Sequence, residues 1–167
     1  MEMKKLMATM PQLGKIEWIG LRPERRKPLE SVDAVDVAVG VGLVGDHYKG
    51  KSGKRQVTLI QAEHLQAVAS ILGQGEIDPR LTRRNIVVSG VNLLAFNNHR
   101  LQIGEEVILE MTGLCHPCSR MEENLGPGGY NAMRGHGGIN TRVIQAGRIK
   151  LGDAVRFLAV PAKEEAK

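Results

Sequence analysis

Aromatic residues, cysteines and long apolar runs are scarce in this sequence. One Trp, two Tyr and two Phe make up 3% of its 167 residues, too few and too scattered for the stacking surface on which proteins bind single-stranded nucleic acid. No apolar run approaches the roughly 18 to 20 residues of a membrane span, and the first residues lead into no apolar segment typical of a signal peptide. We therefore expect a cytoplasmic protein without a membrane partner, and nucleic acid is disfavoured as a ligand.

The two cysteines, Cys115 and Cys118, are too few for a disulfide framework. In a reducing compartment such a close pair is expected to be reactive or metal-binding. Lys and Arg outnumber Asp and Glu by 23 to 18, which gives a net charge of +5. That excess favours an anionic ligand.

Short runs of β-branched and apolar residues recur between the 20 glycines and predict a mainly β protein. Many short strands suit a small β-barrel-like fold with one or two peripheral helices better than a layered sheet. We expect a single domain over residues 1–167, with its core at about 14–158 and a frayed tail at 162–167. Strands are predicted at residues 14–21, 35–41, 56–60, 85–88, 107–111, 142–146 and 154–160.

One segment, residues 62–72, has helical periodicity, with apolar residues at i, i+3, i+4 and i+7 and glycines just beyond its end. We predict an amphipathic helix packed on the barrel and interpret His64 within it as structural. A faint repeat relates residues 101–109 to 149–157, in which a glycine followed by an acid predicts a turn before a strand. Glu105 and Asp153 are therefore also interpreted as structural.

The sharpest motif is Cys115-His116-Pro117-Cys118, directly after a predicted strand. Loops at strand ends often hold reactive residues, and positive charge from His116 and Arg120 would favour a thiolate. A structural zinc site is disfavoured because it needs four ligands, usually two pairs. A thioredoxin-like redox pair needs an adjoining helix, whereas residues 122–129 carry Pro127 and three glycines. Redox exchange stays open but unsupported.

Two further segments are candidates for anion binding. The glycine-rich stretch 126–138, with Arg134 and His136, could form a concavity of amide groups, although a mobile surface loop explains it almost equally well. Arg83-Arg84-Asn85 stands directly before a predicted strand and could offer bidentate donors to phosphate or an oxyanion. The basic clusters at 22–27 and 49–55 are expected to be solvated, and residues 45–47 to be a plain turn or part of a pocket wall.

Six motifs together resemble the MOSC domain, named after the C-terminal domain of molybdenum cofactor sulfurases, over about residues 14–158. They are Gly42-Leu-Val-Gly-Asp-His47, Arg55-Gln-Val-Thr-Leu-Ile60, Arg83-Arg-Asn-Ile-Val-Val-Ser-Gly90, Leu101-Gln-Ile-Gly104, Pro117-Cys118 and Gly147-Arg-Ile-Lys-Leu-Gly-Asp153. The resemblance implies a β-barrel-like fold and a molybdenum-pterin site. It also implies that Cys118 carries sulfur or ligates molybdenum, whereas Cys115 lies outside the pattern. The expected cofactor-binding residues are Arg83, Arg84, Asn85, His116, Arg120, Arg134 and His136.

The resemblance leaves two functions open. Stand-alone bacterial members reduce N-hydroxylated compounds with electrons from a flavin or iron–sulfur partner. This sequence has neither an iron–sulfur cysteine set nor a flavin motif, so the electron donor would be a separate protein. The alternative is a sulfur-carrier or cofactor-carrier module that holds a persulfide on Cys118, supplied by a cysteine desulfurase, without reductase activity.

Overall fold

The computed structural model describes residues 2–48 and 50–160, in which short strands alternate with turns at glycines. The helices are α1 (Met3–Met7), α2 (Ala62–Ile71), α3 (Ser119–Leu125) and α4 (Gly129–Met133), and 3₁₀ turns occur at Pro79–Thr82 and Leu93–Phe96. The strands are β1 (Gly14–Leu21), β2 (Glu30–Val32), β3 (Ala34–Ala38), β4 (Gly42–Leu43), β5 (Val57–Gln61), β6 (Ile86–Ser89), β7 (Arg100–Ile103), β8 (Val107–Leu114), β9 (Ile139–Gln145), β10 (Gly147–Lys150) and β11 (Ala154–Leu158).

Seven strands close into a barrel in the order β11, β7, β8, β9, β5, β6 and β1. Closure comes from the antiparallel pairing of β1 with β11, in which Gly14 is opposite Val155. Strand β2 extends the sheet beyond β1, while β10, β3 and β4 form a second sheet. Strands β5 and β6 are parallel, and a parallel pair needs a crossover connection. Helix α2 lies in that crossover.

Burial alternates along the strands that face solvent on one side. In β8, for example, Val107, Leu109 and Met111 point into the barrel. Strand β5 is instead buried at all five positions, because Leu59 faces the barrel interior while Ile60 faces the helices. The helices therefore cover the β5–β6 side of the barrel. The second apolar cluster there consists of Ile60, Leu65, Val68, Ala69, Ile77, Val87, Met121, Leu125, Ala132 and Met133.

The predicted fold class is confirmed, since the protein is a mainly β barrel with few helices. The predicted helix at 62–72 is present as α2, with Leu65, Val68 and Ala69 buried. The turn at Asp153 is also confirmed, because its carboxylate accepts a hydrogen bond from the Lys150 amide at 2.9 Å. The expectation of one or two helices was too low, since the described residues contain four.

Two sequence expectations concern the chain ends and membranes. The predicted tail at 162–167 lies outside the described residues. Within residues 2–48 and 50–160, every helix is too short or too polar to cross a lipid bilayer.

Asn85 ties three barrel strands together at the start of β6, where its side chain is fully buried. Its amide oxygen accepts from both the backbone amide and the hydroxyl of Thr58, each at 3.1 Å, and its Nδ2 donates to the Gly20 carbonyl at 3.1 Å. These bonds join the ends of β1, β5 and β6. The expectation that Asn85 contacts a cofactor is therefore corrected: its polar atoms face the strands and not a ligand.

Replacing Asn85 with Ala should lower the free energy of unfolding by about 3 to 5 kcal/mol, because several buried polar groups would lose their partners. Asn131→Ala is the matched control, since Asn131 is exposed on α4 and should change stability by less than about 0.5 kcal/mol. Urea unfolding followed by circular dichroism measures both. Equal stability of the two variants would contradict the structural role of Asn85.

Candidate functional site

The cysteine motif forms the loop between β8 and α3. Cys115 is partly buried and its amide donates to the Gly138 carbonyl at 2.9 Å, whereas Cys118 is exposed. Helix α3 begins at Ser119, so the expectation that no helix adjoins the pair was wrong. The helix forms because Met121 and Leu125, four residues apart, bury one face. It is the second cysteine, not the first as in a thioredoxin-like pair, that precedes this helix.

Arg84 holds the cysteine loop in place from inside the protein. Its Nε donates to the Gly137 carbonyl at 2.8 Å and its Nη1 to the Thr82 carbonyl at 2.9 Å. Its Nη2 donates to the carbonyls of Cys115 at 3.0 Å and His116 at 3.2 Å. The side chain is 5% exposed. The guanidinium therefore donates its hydrogen bonds to backbone carbonyls. This corrects the expectation that it faces an anionic cofactor.

The glycines before β9 allow this close packing. A Cβ at Gly137 would overlap the Cys115 carbonyl oxygen, and one at Gly138 would overlap the Leu59 carbonyl oxygen. Residues Gly129–Met133 within the glycine-rich stretch form α4. The sequence suggested that glycines in this stretch let the backbone approach a ligand. In the structure, Gly137 and Gly138 instead allow close contact with the protein's own backbone.

Several charged side chains lie near Arg83, which is itself close to the exposed cysteine. Burial lowers the pKa of Arg83, and the neighbouring charges of Arg120 and Arg22 lower it further. Cys118 and Asp46 act on that pKa in the opposite direction. Arg120, Arg22, Asp46 and Cys118 therefore all lie within electrostatic reach of Arg83.

The two cysteines differ in environment. Burial raises the pKa of the Cys115 thiol, and the nearby charges of Arg84, Arg55 and Arg22 oppose this rise only in part. Cys115 is therefore kept as a thiol at neutral pH, as expected for a shielded sulfur. Cys118 is the more exposed of the two cysteines.

Sequence reasoning missed Arg22 and Arg55, and it named Asp46 only within a turn that could form part of a pocket wall. It treated the clusters at 22–27 and 49–55 as solvated, and residue 49 of the second lies outside the described residues. Arg22 and Asp46 form an ion pair at 2.9 Å between Nη2 and Oδ2, and the Asp46 side chain is only 1% exposed. The usable signal was position: Arg22 directly follows a predicted strand, and Asp46 lies in one of the six motifs.

Four of the predicted cofactor-binding residues remain to be placed, namely His116, Arg120, Arg134 and His136. His116 and Arg134 are exposed, and Arg120 is half-buried on α3 near Arg83. The His136 ring packs against the His64 ring of α2 at a centroid distance of 5.0 Å. Burial, and then the charge of His136, lowers the pKa of His64. The structure thus turns His136 towards the helices and not towards the cysteines.

A small cleft opens beside the cysteine loop. Its volume is about 70 Å³, well below the roughly 300 Å³ of ordinary ligand pockets. No group of three or more His, Cys, Asp or Glu side chains suited to a metal ion occurs among residues 2–48 and 50–160. The lining residues of the cleft are Leu94, Leu114, Cys115, His116, Pro117, Gly135, Gly137 and Gly138.

A sequence profile of the MOSC domain matches residues 39–156. The chain belongs to the MOSC domain family. The resemblance seen in its motifs is thereby confirmed, and MOSC domains are generally associated with binding of the molybdenum cofactor. No curated protein matches the sequence.

Solved structures of other proteins share this MOSC fold at low sequence identity. The YuaD protein of Bacillus subtilis is 19% identical with a TM-score of 0.76, covering 88% of this chain and 97% of that one. YiiM from Geobacillus stearothermophilus is 16% identical with a TM-score of 0.67, covering 87% and 75%. YiiM from Escherichia coli is 15% identical with a TM-score of 0.66, covering 89% and 72%. At these identities the likeness shows the fold alone.

Arg84→Lys should lower the free energy of unfolding by about 2 to 4 kcal/mol, because an ammonium cannot serve four carbonyls in the geometry of the guanidinium fork. Arg26→Lys, the same change at an exposed position, should cost less than about 0.5 kcal/mol. Urea unfolding measures both. A fully stable Arg84→Lys protein would show that the bonds to the cysteine loop contribute little.

Proposed function

We propose that this MOSC domain binds the molybdenum cofactor at the cysteine loop, with the sulfur of Cys118 as a molybdenum ligand. One observation carries the proposal: Cys118 is exposed beside Arg83 and Arg120, while Cys115 is shielded and kept as a thiol. Thiolate is a ligand for soft and high-valent metal centres. Cys115 is assigned no part in ligation.

The residues present fit the charge of such a group. A molybdenum-pterin cofactor carries dithiolene sulfurs and a phosphate and is therefore anionic, and arginines are suited to both phosphate and oxyanions. When bound, the group supplies a redox-active metal centre. The protein residues keep the loop rigid through Arg84 and supply positive charge through Arg83 and Arg120.

The reaction proposed for this site is the reduction of an N-hydroxylated compound. Cleavage of the N–O bond takes two electrons and two protons and yields an amine and water. The electrons come from a separate flavin or iron–sulfur protein. The exposed His116 ring stands in the same loop as Cys118 and is the proposed proton donor to the departing hydroxyl group.

A second function fits the exposure of Cys118 as well. A sulfur carrier needs a thiol that a cysteine desulfurase can reach, so that a persulfide can form on it and be passed on. In that case the domain carries sulfur or cofactor and reduces nothing.

Protein produced in a host that makes the cofactor should contain molybdenum and pterin. Cys118→Ser should abolish metal-linked activity, because the ligand sulfur is lost, whereas Cys115→Ser should retain most of it with both variants folded. Elemental and pterin analysis measures the cofactor content of each variant, and an assay of substrate reduction measures its activity. Equal loss in both variants would favour a dithiol mechanism and remove the assignment of Cys118 as the ligand.

A viologen assay decides between reductase and carrier. Isolated protein should not oxidise NADH with an N-hydroxylated substrate, but metal-replete protein should reduce the substrate when reduced viologen replaces the partner. A carrier should do neither and should form cyanide-labile sulfur on Cys118 after incubation with a cysteine desulfurase. Labile sulfur without turnover of hydroxylamines, hydroxylaminopurine or amidoximes would favour the carrier.

A further inference from the structure

Two histidine rings from separate elements meet on the helical side of the barrel. His64 lies on α2 and His136 lies between α4 and β9, and their ring centroids are 5.0 Å apart in an edge-to-face arrangement. Leu65, next to His64, and Met133, at the end of α4, belong to the buried apolar cluster on this side. Histidine is the side chain whose ordinary pKa lies closest to neutral pH, so protons can control this contact.

The His64 ring is placed for its neutral form. Its Nδ1 is buried and has no hydrogen-bond partner among residues 2–48 and 50–160. A neutral imidazole leaves one nitrogen unprotonated, but an imidazolium carries a proton on both nitrogens. Protonation therefore puts an N–H donor where no acceptor lies, which costs free energy. Nδ1 of His136, by contrast, lies 2.9 Å from the Ala132 carbonyl oxygen, which can accept its proton.

The charged groups near His64 act in opposite directions. Burial lowers the pKa of His64, and the charge of His136 lowers it further, whereas the charge of Glu63, the preceding residue on α2, raises it. Glu63 is itself engaged, since its Oε1 accepts from the Gly90 amide at 2.9 Å. Elements α4, β5 and β6, which pack against α2, contain no residue that ionises near neutral pH. The net effect of these surroundings is to favour a neutral His64.

The segment that carries His136 also fixes the cysteine loop. The Gly137 carbonyl accepts from Nε of Arg84 at 2.8 Å, and Nη2 of the same guanidinium donates to the Cys115 carbonyl at 3.0 Å. The next carbonyl, that of Gly138, accepts from the Cys115 amide at 2.9 Å. A displacement of His136 would therefore move the acceptors that keep the loop against the barrel.

We propose that His64 and His136 form a pH-sensitive latch between α2 and the segment that holds the cysteine loop. With neutral rings the contact is closed and the loop is held. A proton on His64 opens the contact, because the charged ring turns away from its buried position and from His136, and the loop then becomes mobile. The latch acts on either function proposed for Cys118, since it depends on no bound cofactor and no persulfide.

The direction of the pH response follows from the surroundings of His64. Because the closed contact lowers the pKa of His64, the open form binds a proton more tightly than the closed form does. The closed form is therefore fully favoured above the ordinary histidine pKa of about 6.5. It is lost as the pH falls from there through the lowered pKa of the folded protein.

Amide hydrogen exchange of the full chain, purified without cofactor, tests the latch. Protection factors are measured at about pH 7.5 and about pH 5.5, on either side of the ordinary histidine pKa, and are corrected for the intrinsic exchange rate at each pH. The Cys115 amide should lose protection severalfold at the lower pH. The amides of β7, on the opposite side of the barrel from α2, should keep theirs, which separates local opening from unfolding of the whole protein.

Two substitutions of His64 isolate its proton. His64→Gln and His64→Phe both remove the titrating imidazole, and Phe also keeps a ring against His136. Each variant should protect the Cys115 amide equally at both pH values. His116→Gln is the matched control, because His116 is an exposed histidine within the cysteine loop itself, and it should retain the pH response of the unaltered protein. If His64→Gln does not fold, His64→Phe carries the test.

Two results would overturn the latch: equal protection of the Cys115 amide at both pH values in the unaltered protein, or an unchanged pH response in folded His64→Phe. An equal loss of protection in β7 would also reject it, since the whole protein would then be unfolding. The cofactor is tested separately. If protein from a cofactor-making host contains no molybdenum, the proposed function fails and the latch still stands.

Discussion

The guanidinium of Arg84 is the contact on which the site depends. It joins the residues before β6, the cysteine loop and the glycine segment before β9 through four carbonyl oxygens. A buried cation is tolerated only when its donors are satisfied, so these three segments must keep their relative positions. The loop that carries Cys118 is thereby held against the barrel although His116 and Cys118 are exposed. Gly137 makes the arrangement possible, because any side chain there would meet the Cys115 carbonyl.

The three consecutive residues directly before β6 make different contacts. Asn85 bonds to neighbouring strands and fixes the barrel, Arg84 fixes the loop, and Arg83 remains at the surface near Cys118. The left-handed backbone at Arg83 is what separates its direction from that of Arg84. Residues adjacent in one motif therefore contact the barrel core, the cysteine loop and the surface near Cys118 in turn.

Sequence patterns predicted the parts of the fold that have a clear period. The predicted bounds of strand β1 and helix α2 match the structure almost to the residue. Alternating apolar residues in β1, and the i, i+3, i+4 spacing in α2, follow the pattern of burial directly. Helix α3 was missed because Pro127 and the glycines after it mark its end, and its apolar pair is only Met121 and Leu125. For the candidate site, motif order pointed to the cysteine loop, but residue type did not reveal the contacts of the arginines. In sequence, Arg84 looks like an anion donor and Arg22 like a solvated residue. Only the structure shows that Arg84 is buried among backbone carbonyls and that Arg22 is paired with Asp46.

The asymmetry between the cysteines bears on both proposed functions, since either needs one accessible sulfur and neither needs Cys115. The arginines bear on the two functions unequally. Arg83 and Arg120 would favour an anionic persulfide on Cys118 by charge alone, whereas a phosphate also offers several oxygens to a guanidinium fork. Burial, and then the neighbouring charges of Arg120 and Arg22, lower the pKa of Arg83, and an anion bound beside these residues would offset the effect of those charges. With Asp46 already engaged by Arg22, a bound phosphate would balance more of the positive charge near Arg83 than a persulfide would, and that favours cofactor binding over sulfur carriage.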